Sequence, residues 1–173
     1  MLKAQRLRSQ FIWACCLLLI VVAVAEADHA VAAECGRDFT RNQVVSLLRA
    51  GGFTGWLRGD PWEPGHMLDE LTIDKIGDVK AGKRCLHLYM YIIRHHLRGC
   101  AHHETDRLLV LTDTQYLGSY IITEFPLRLR GNVLEFPRDK RFPNENLGYR
   151  IVFGPDGPPG EIYLLGETHS FFK

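Results

Sequence analysis

The sequence lacks an excess of charge of either sign, because its 173 residues hold 21 Lys and Arg against 20 Asp and Glu. A protein that attracts nucleic acid usually carries a basic surplus, so this class of partner is not expected. Charged residues make up only 24% of the chain and apolar residues 46%, which excludes a disordered protein. The composition is that of an ordinary folded domain.

Motifs of well-known catalytic sites are also missing. The chain contains no Gly-x-Ser-x-Gly nucleophile elbow and no His-Glu-x-x-His zinc pattern. The Gly- and Pro-rich stretch at residues 154–160 lacks the Lys and Ser or Thr of a phosphate loop. These absences favour a binding protein over an enzyme.

One apolar run lies near the N-terminus, at residues 11–25, with three positive charges before it and small residues after it. This order is typical of a secretory signal peptide, and cleavage after Ala27 fits better than cleavage after Ala32. A retained membrane anchor is the alternative, but the 15 residues would span roughly 22 Å of a hydrocarbon core of roughly 30 Å. We therefore predict a signal peptide at residues 1–27, no membrane span after its removal, and a secreted or periplasmic protein.

Cysteine is scarce, and two of the five residues, Cys15 and Cys16, belong to the predicted leader. Cys35, Cys85 and Cys100 remain, and an odd number in an oxidising compartment predicts one disulfide and one spare thiol. A bond between Cys85 and Cys100 would require a broken strand, since extended chain carries the two residues too far apart. We expect Cys35 to pair with one of the other two, and Cys35 and Cys85 are the disulfide candidates.

Hydrophobic periodicity predicts one helix followed by many short strands. Residues 40–50 form an amphipathic pattern with Thr40 as the N-cap and Gly51 after the last turn. From residue 71 onward, short apolar runs with a period of two alternate with turn residues. The predicted strands are residues 71–76, 84–93, 108–112, 116–123, 127–129, 133–136, 149–153 and 161–165. The last four of these are expected to form two hairpins.

Such closely spaced strands leave no room for crossover helices, so the sheet should be antiparallel. We predict an α+β, mainly β fold, with one N-terminal helix packed on a meander sheet of seven or eight short strands. The sheet is either open or curled into a barrel or half-barrel. The chain would then consist of the leader at 1–27, an N-terminal arm at 28–38 and a single β-rich globular domain at 39–173.

Four aromatic residues are candidates for binding a ligand or a partner: Trp56, Trp62, Tyr89 and Tyr91. The two tryptophans lie in a Gly- and Pro-rich segment, residues 53–66, which favours an ordered loop packed by its aromatics. The two tyrosines share one face of a predicted strand. We prefer the interpretation in which this face lies under the helix and the loop, and an exposed binding surface is the alternative.

Half of the eight histidines fall within nine residues, together with one cysteine: His95, His96, Cys100, His102 and His103. Imidazole and thiolate are ligands of zinc and copper. Adjacent residues on a strand point to opposite faces, so His95 and His96 cannot serve one site unless the strand has already ended. We prefer a polar hairpin loop over residues 94–107, and a metal site is the alternative.

Three functional hypotheses follow. The first is an exported, non-catalytic domain without a cofactor that binds a protein or small ligand through its sheet edges, loops or aromatic residues. The second is a metal-binding protein or metal-dependent enzyme that holds zinc or copper in residues 95–103. The third is a structural envelope protein joined through its spare cysteine.

Overall fold

The computed structural model describes residue 35 and residues 37–57, 66–97, 102–138 and 148–173. The chain divides into two compact units, Met1–Gly36 and Arg37–Lys173, and every element below belongs to the second. The predicted leader and the first residues of the predicted arm lie outside the described residues. No helix in the described part of the chain is long and apolar enough to cross a membrane.

Within these residues, one helix precedes nine strands in antiparallel sheets, which confirms the predicted mainly β fold. The helix α1 is Arg41–Ala50. The strands are β1 (His66–Ala81), β2 (Arg84–Leu97), β3 (His102–Leu111), β4 (Tyr116–Ile122), β5 (Arg128–Arg130), β6 (Val133–Glu135), β7 (Arg150–Val152), β8 (Glu161–Leu164) and β9 (Glu167–Ser170). The first four form a meander in the order β1-β2-β3-β4, as predicted.

The predicted N-cap of α1 is confirmed. The Thr40 side chain accepts a hydrogen bond from the backbone N–H of Gln43, and the Gln43 side chain accepts one from the backbone N–H of Thr40. This reciprocal pair satisfies two N–H groups that the first turn would otherwise leave without acceptors. Val44 and Leu48, one turn apart, are both buried, so the helix is fixed by its apolar stripe.

The other strands form a sheet of three, in the order β5-β6-β7, and a sheet of two, β8-β9. The predicted hairpin of residues 127–129 with 133–136 is confirmed as β5-β6, whereas the hairpin of residues 149–153 with 161–165 is wrong. Strand β8 instead pairs with β9 across Leu165 and Gly166, which both have positive φ. A two-residue turn of this kind matches the twist of a hairpin and produces the ninth strand.

The central part of the four-stranded sheet is buried on both faces. One face lies against the smaller sheets and forms the first core, which includes Leu88, Met90, Leu108, Val110, Tyr120, Leu134, Ile151 and Phe153. The other face forms the second core under α1 and the segment that follows it, with Val44, Leu48, Leu57, Tyr89, Tyr91, Leu109, Leu111 and Tyr116. Strand β2 is therefore apolar on both sides over residues 88–93 and becomes polar beyond them.

Candidate metal centre

Strands β2 and β3 continue, at the end where they are joined to each other, beyond the residues whose apolar alternation predicts a strand. Strand β2 ends at Leu97 and β3 begins at His102, so the predicted polar loop over residues 94–107 is wrong. Charged pairs hold this extension together: Arg94 contacts Glu104 on β3 at 2.6 Å and Glu70 on β1 at 2.5 Å. Oppositely charged side chains across strands stabilise pairing where apolar contacts are absent.

The register of this hairpin sorts the four histidines into two pairs. His96 lies opposite His102 and His95 lies opposite His103, with ring centroids 5.0 and 5.6 Å apart. Because neighbouring residues of a strand point to opposite faces, the two pairs lie on different faces of the sheet. Of the alternative metal ligands His95, His96, Cys100, His102 and His103, the structure brings His96 and His102 together on one face and places His95 and His103 on the other. Cys100 lies outside the described residues.

A third side chain joins the pair His96 and His102. The register of β1 against β2 shifts between Leu68 and Glu70, so Asp69 occupies a bulge. A bulge re-aims a side chain, and the Asp69 carboxylate contacts both rings. His96 Nδ1 lies 2.9 and 3.0 Å from its two oxygens, and His102 Nδ1 lies 2.9 Å from one of them.

These three residues form the Asp69–His96–His102 cluster, in which one potential ligand atom from each residue lies within 4.8 Å of the others. The hydrogen bond from His96 lowers the pKa of Asp69 below its usual value, and His102 contributes in the same direction. The carboxylate is therefore held ionised. The cluster is open to solvent on one side, because the His102 side chain is 76% exposed while those of His96 and Asp69 are 23% and 30% exposed.

Further acidic groups surround the cluster on the same face. Glu70 and Glu104 flank Arg94, whose guanidinium lowers the pKa of Glu104. Among the described residues of this face, Asp69, Glu70 and Glu104 against Arg94 leave an excess of negative charge when the histidines are neutral. This local field favours a bound cation, although the protein as a whole is nearly neutral.

Asp106 is the buried acid of this face. It pairs with Ile92 on one side and Ile122 on the other, and no hydrogen-bond partner of its Oδ1 is present among the described residues. Burial raises the pKa of Asp106 to about 6, and the charge of Glu104 adds to this effect. The folded protein therefore retains the Asp106 proton at a pH where the unfolded chain releases it.

We expect Asp106→Asn to gain stability relative to the wild type as the pH rises. Between about pH 4 and pH 6 the folded state binds more protons at Asp106 than the unfolded state, so rising pH lowers the wild-type free energy of unfolding. The substitution removes this loss. Urea unfolding at several pH values measures the difference, with Asp74→Asn on the exposed part of β1 as the control. A difference between Asp106→Asn and wild type that is independent of pH would contradict the prediction.

The aromatic candidates lie on the opposite face. Tyr89 and Tyr91 are 3% and 1% exposed and belong to the second core, so the alternative in which they form an exposed binding surface is wrong. Trp56 is half-buried, accepts a hydrogen bond from the Tyr91 hydroxyl at its backbone oxygen, and meets the His95 ring edge-on at 4.7 Å. Trp62 lies outside the described residues.

Cys35 and Cys85 are both disulfide-bonded, and these are the two candidates that the sequence favoured.

Comparisons with known proteins give no relative: no family model matches the chain, and no curated protein or solved structure is significantly similar to it.

Proposed function

We propose that this protein is an exported binding domain, periplasmic in the first instance, whose ligand is a divalent transition-metal ion held by Asp69, His96 and His102. One observation carries the proposal: two imidazoles and an ionised carboxylate from three strands bring ligand atoms within 4.8 Å of one another. Ligands of tetrahedral zinc stand about 2.0 to 2.1 Å from the ion and so about 3.3 Å from each other. Small side-chain rotations would close the cluster around an ion.

The donor set selects the metal. Imidazole nitrogen suits zinc and copper, whereas calcium and magnesium take oxygen ligands almost exclusively. Zinc is the first choice because a set of three protein ligands plus water is common for this ion, and copper is the second. The exposed side of the cluster would leave the remaining position to water or to a second ligand. A metal-dependent enzyme would need the same open position, which makes it the second candidate function.

Export is supported by two independent features. The leader at residues 1–27 has the order of a signal peptide. Cys35 and Cys85 are disulfide-bonded, and such bonds persist mainly in oxidising compartments. A metal site on the surface of an exported protein would meet metal ions outside the cytoplasm.

The metal content of protein purified without a histidine tag tests the proposal. We expect one equivalent of zinc or copper per chain after loading and desalting, and an affinity that falls on acidification because the imidazoles must be neutral to bind. Elemental analysis gives the stoichiometry, and competition with a chromophoric chelator gives the affinity. Protein that retains neither metal after loading would overturn the proposal.

A further inference from the structure

A cleft of about 300 Å³ opens on the α1 face of the sheet, opposite the metal cluster. Ile93 and Thr105, which pair across β2 and β3, lie in its middle, with His95 toward one end and Arg107 toward the other. Arg107 pairs with Tyr91 across the strands, and His95 lies four residues further along β2 than Tyr91. At roughly 3.3 Å per residue, the two ends of the cleft are therefore about 13 Å apart along the strand. The cleft therefore has room for a small elongated molecule.

The Arg107 end of the cleft offers a positive charge. The guanidinium lies 5.2 Å from the ring centroids of both Phe53 and Phe172, and its one hydrogen bond to a described residue is a long one of 3.5 Å to the Thr54 hydroxyl. No carboxylate forms an ion pair with Arg107 in the part of the chain that the structure describes, in contrast to Arg94. Two rings thus orient the guanidinium, and no described carboxylate neutralises its charge.

The other end of the cleft is aromatic. The Trp56 indole and the His95 ring meet at 85°, so the two rings form a corner. Gly55, beside Trp56, leaves no room for a larger side chain, because an added Cβ would lie 2.3 Å from the Phe53 ring. The chain at Gly55 is therefore held close to the Phe53 ring that also orients Arg107. An aromatic corner of this kind offers apolar surface against which the ring of a ligand can pack.

We infer that this cleft binds a small aromatic carboxylate, with the carboxylate on Arg107 and the ring against Trp56 and His95. Arginine donors match the two oxygens of a carboxylate, and an aromatic ring fills the apolar end. The hydroxyl of Thr105, in the middle of the cleft, offers a hydrogen bond to a polar substituent, and that of Thr54 lies beside Arg107. This site is independent of the metal proposal, since it uses the other face of the sheet.

Calorimetric titration of the purified protein with 3-phenylpropionate tests the inference, in the presence of a chelator that removes metal ions. Three probes separate the contributions: 3-phenylpropionate carries both groups, 3-phenylpropanamide lacks the charge, and butanoate lacks the ring. We expect the amide and butanoate each to bind about tenfold or more weakly than 3-phenylpropionate, because a charge-assisted hydrogen bond and ring burial each contribute at least that factor. Equal affinities for all three probes, or no binding of 3-phenylpropionate, would overturn the inference.

Variants locate the binding site. Arg107→Gln should weaken 3-phenylpropionate binding about tenfold or more and leave 3-phenylpropanamide binding nearly unchanged, because only the charged contact is lost. Arg150→Gln, on an exposed position of β7, is the matched control and should change neither affinity. Unchanged 3-phenylpropionate affinity in Arg107→Gln would refute the role of Arg107. Since Arg107 packs between two rings, the comparison of probes on the wild-type protein decides the case if this variant does not fold.

Discussion

His96→Ala is expected to lower zinc affinity by at least about a hundredfold. The substitution removes one of three protein ligands, and even the loss of a group that only orients a ligand costs 10- to 100-fold. His96 also makes the hydrogen bond with the largest effect on the pKa of Asp69, so its loss weakens a second ligand indirectly. Competition with a chromophoric chelator at neutral pH measures the change.

The adjacent residue provides the matched control for this measurement. His95 has the same side chain and lies on the same strand, but it points to the opposite face and stacks on His103. We expect His95→Ala to leave zinc affinity within about threefold of the wild-type value, because substitutions that do not contact a site change its binding free energy only slightly. Equal losses in the two variants would mean that zinc binds elsewhere or non-specifically. Asp69→Asn, which keeps the shape and removes the charge, should reproduce most of the His96→Ala effect.

The helix and the class of sheet could be predicted from local sequence, because each depends on interactions between near neighbours. Thr40 caps α1 three residues before Gln43, and the apolar alternation of residues 84–93 marks β2 wherever it pairs. The length of the strands could not be predicted in this way. Residues 66–70 and 94–97 carry charged and histidine side chains without alternation, and cross-strand pairs such as Arg94 with Glu70 stabilise them. Such pairs become evident only when the register is known.

In the candidate site too, relations between neighbouring residues could be predicted, whereas contacts between residues far apart in the sequence could not. Strand geometry predicts that His95 and His96 face apart only if the strand runs through them, and the sequence instead favoured a loop there. Because β2 continues to Leu97, the two residues do lie on opposite faces. Asp69 could not be identified, because it enters the cluster from β1, 27 residues before His96, through a bulge that only the pairing reveals. A useful signal would have been an acidic residue in a segment able to pair with the histidine-bearing strand.

One structural property underlies both proposed sites. The hairpin of β2 and β3 continues beyond the first core, so its outer end displays side chains on two faces that the apolar part of the sheet hides. The bulge at Asp69 and the ion pairs of Arg94 place the Asp69–His96–His102 cluster on one face. Trp56 and the residues near it place an aromatic and basic cleft on the other face. The same strands can therefore carry two unrelated chemistries without contact between them.

Leu48→Ala is expected to lower the free energy of unfolding by about 2 to 5 kcal/mol. Leu48 is fully buried in the second core, and truncation of such a residue removes apolar contacts and leaves a cavity. The matched control is Ser46→Ala, an exposed position on the same helix where we expect a change within about 0.5 kcal/mol. Urea unfolding at constant pH measures both variants.

The same variant separates the two faces of the sheet. Because α1 covers only the face of the second core, folded Leu48→Ala should bind 3-phenylpropionate more weakly yet retain zinc, whose ligands lie on the opposite face. The measurements use urea-free buffer, in which a domain of ordinary stability stays folded after a loss of this size. A loss of stability below about 1 kcal/mol would mean that α1 does not close the second core. Equal losses of both ligands would mean that the two faces are coupled through the sheet.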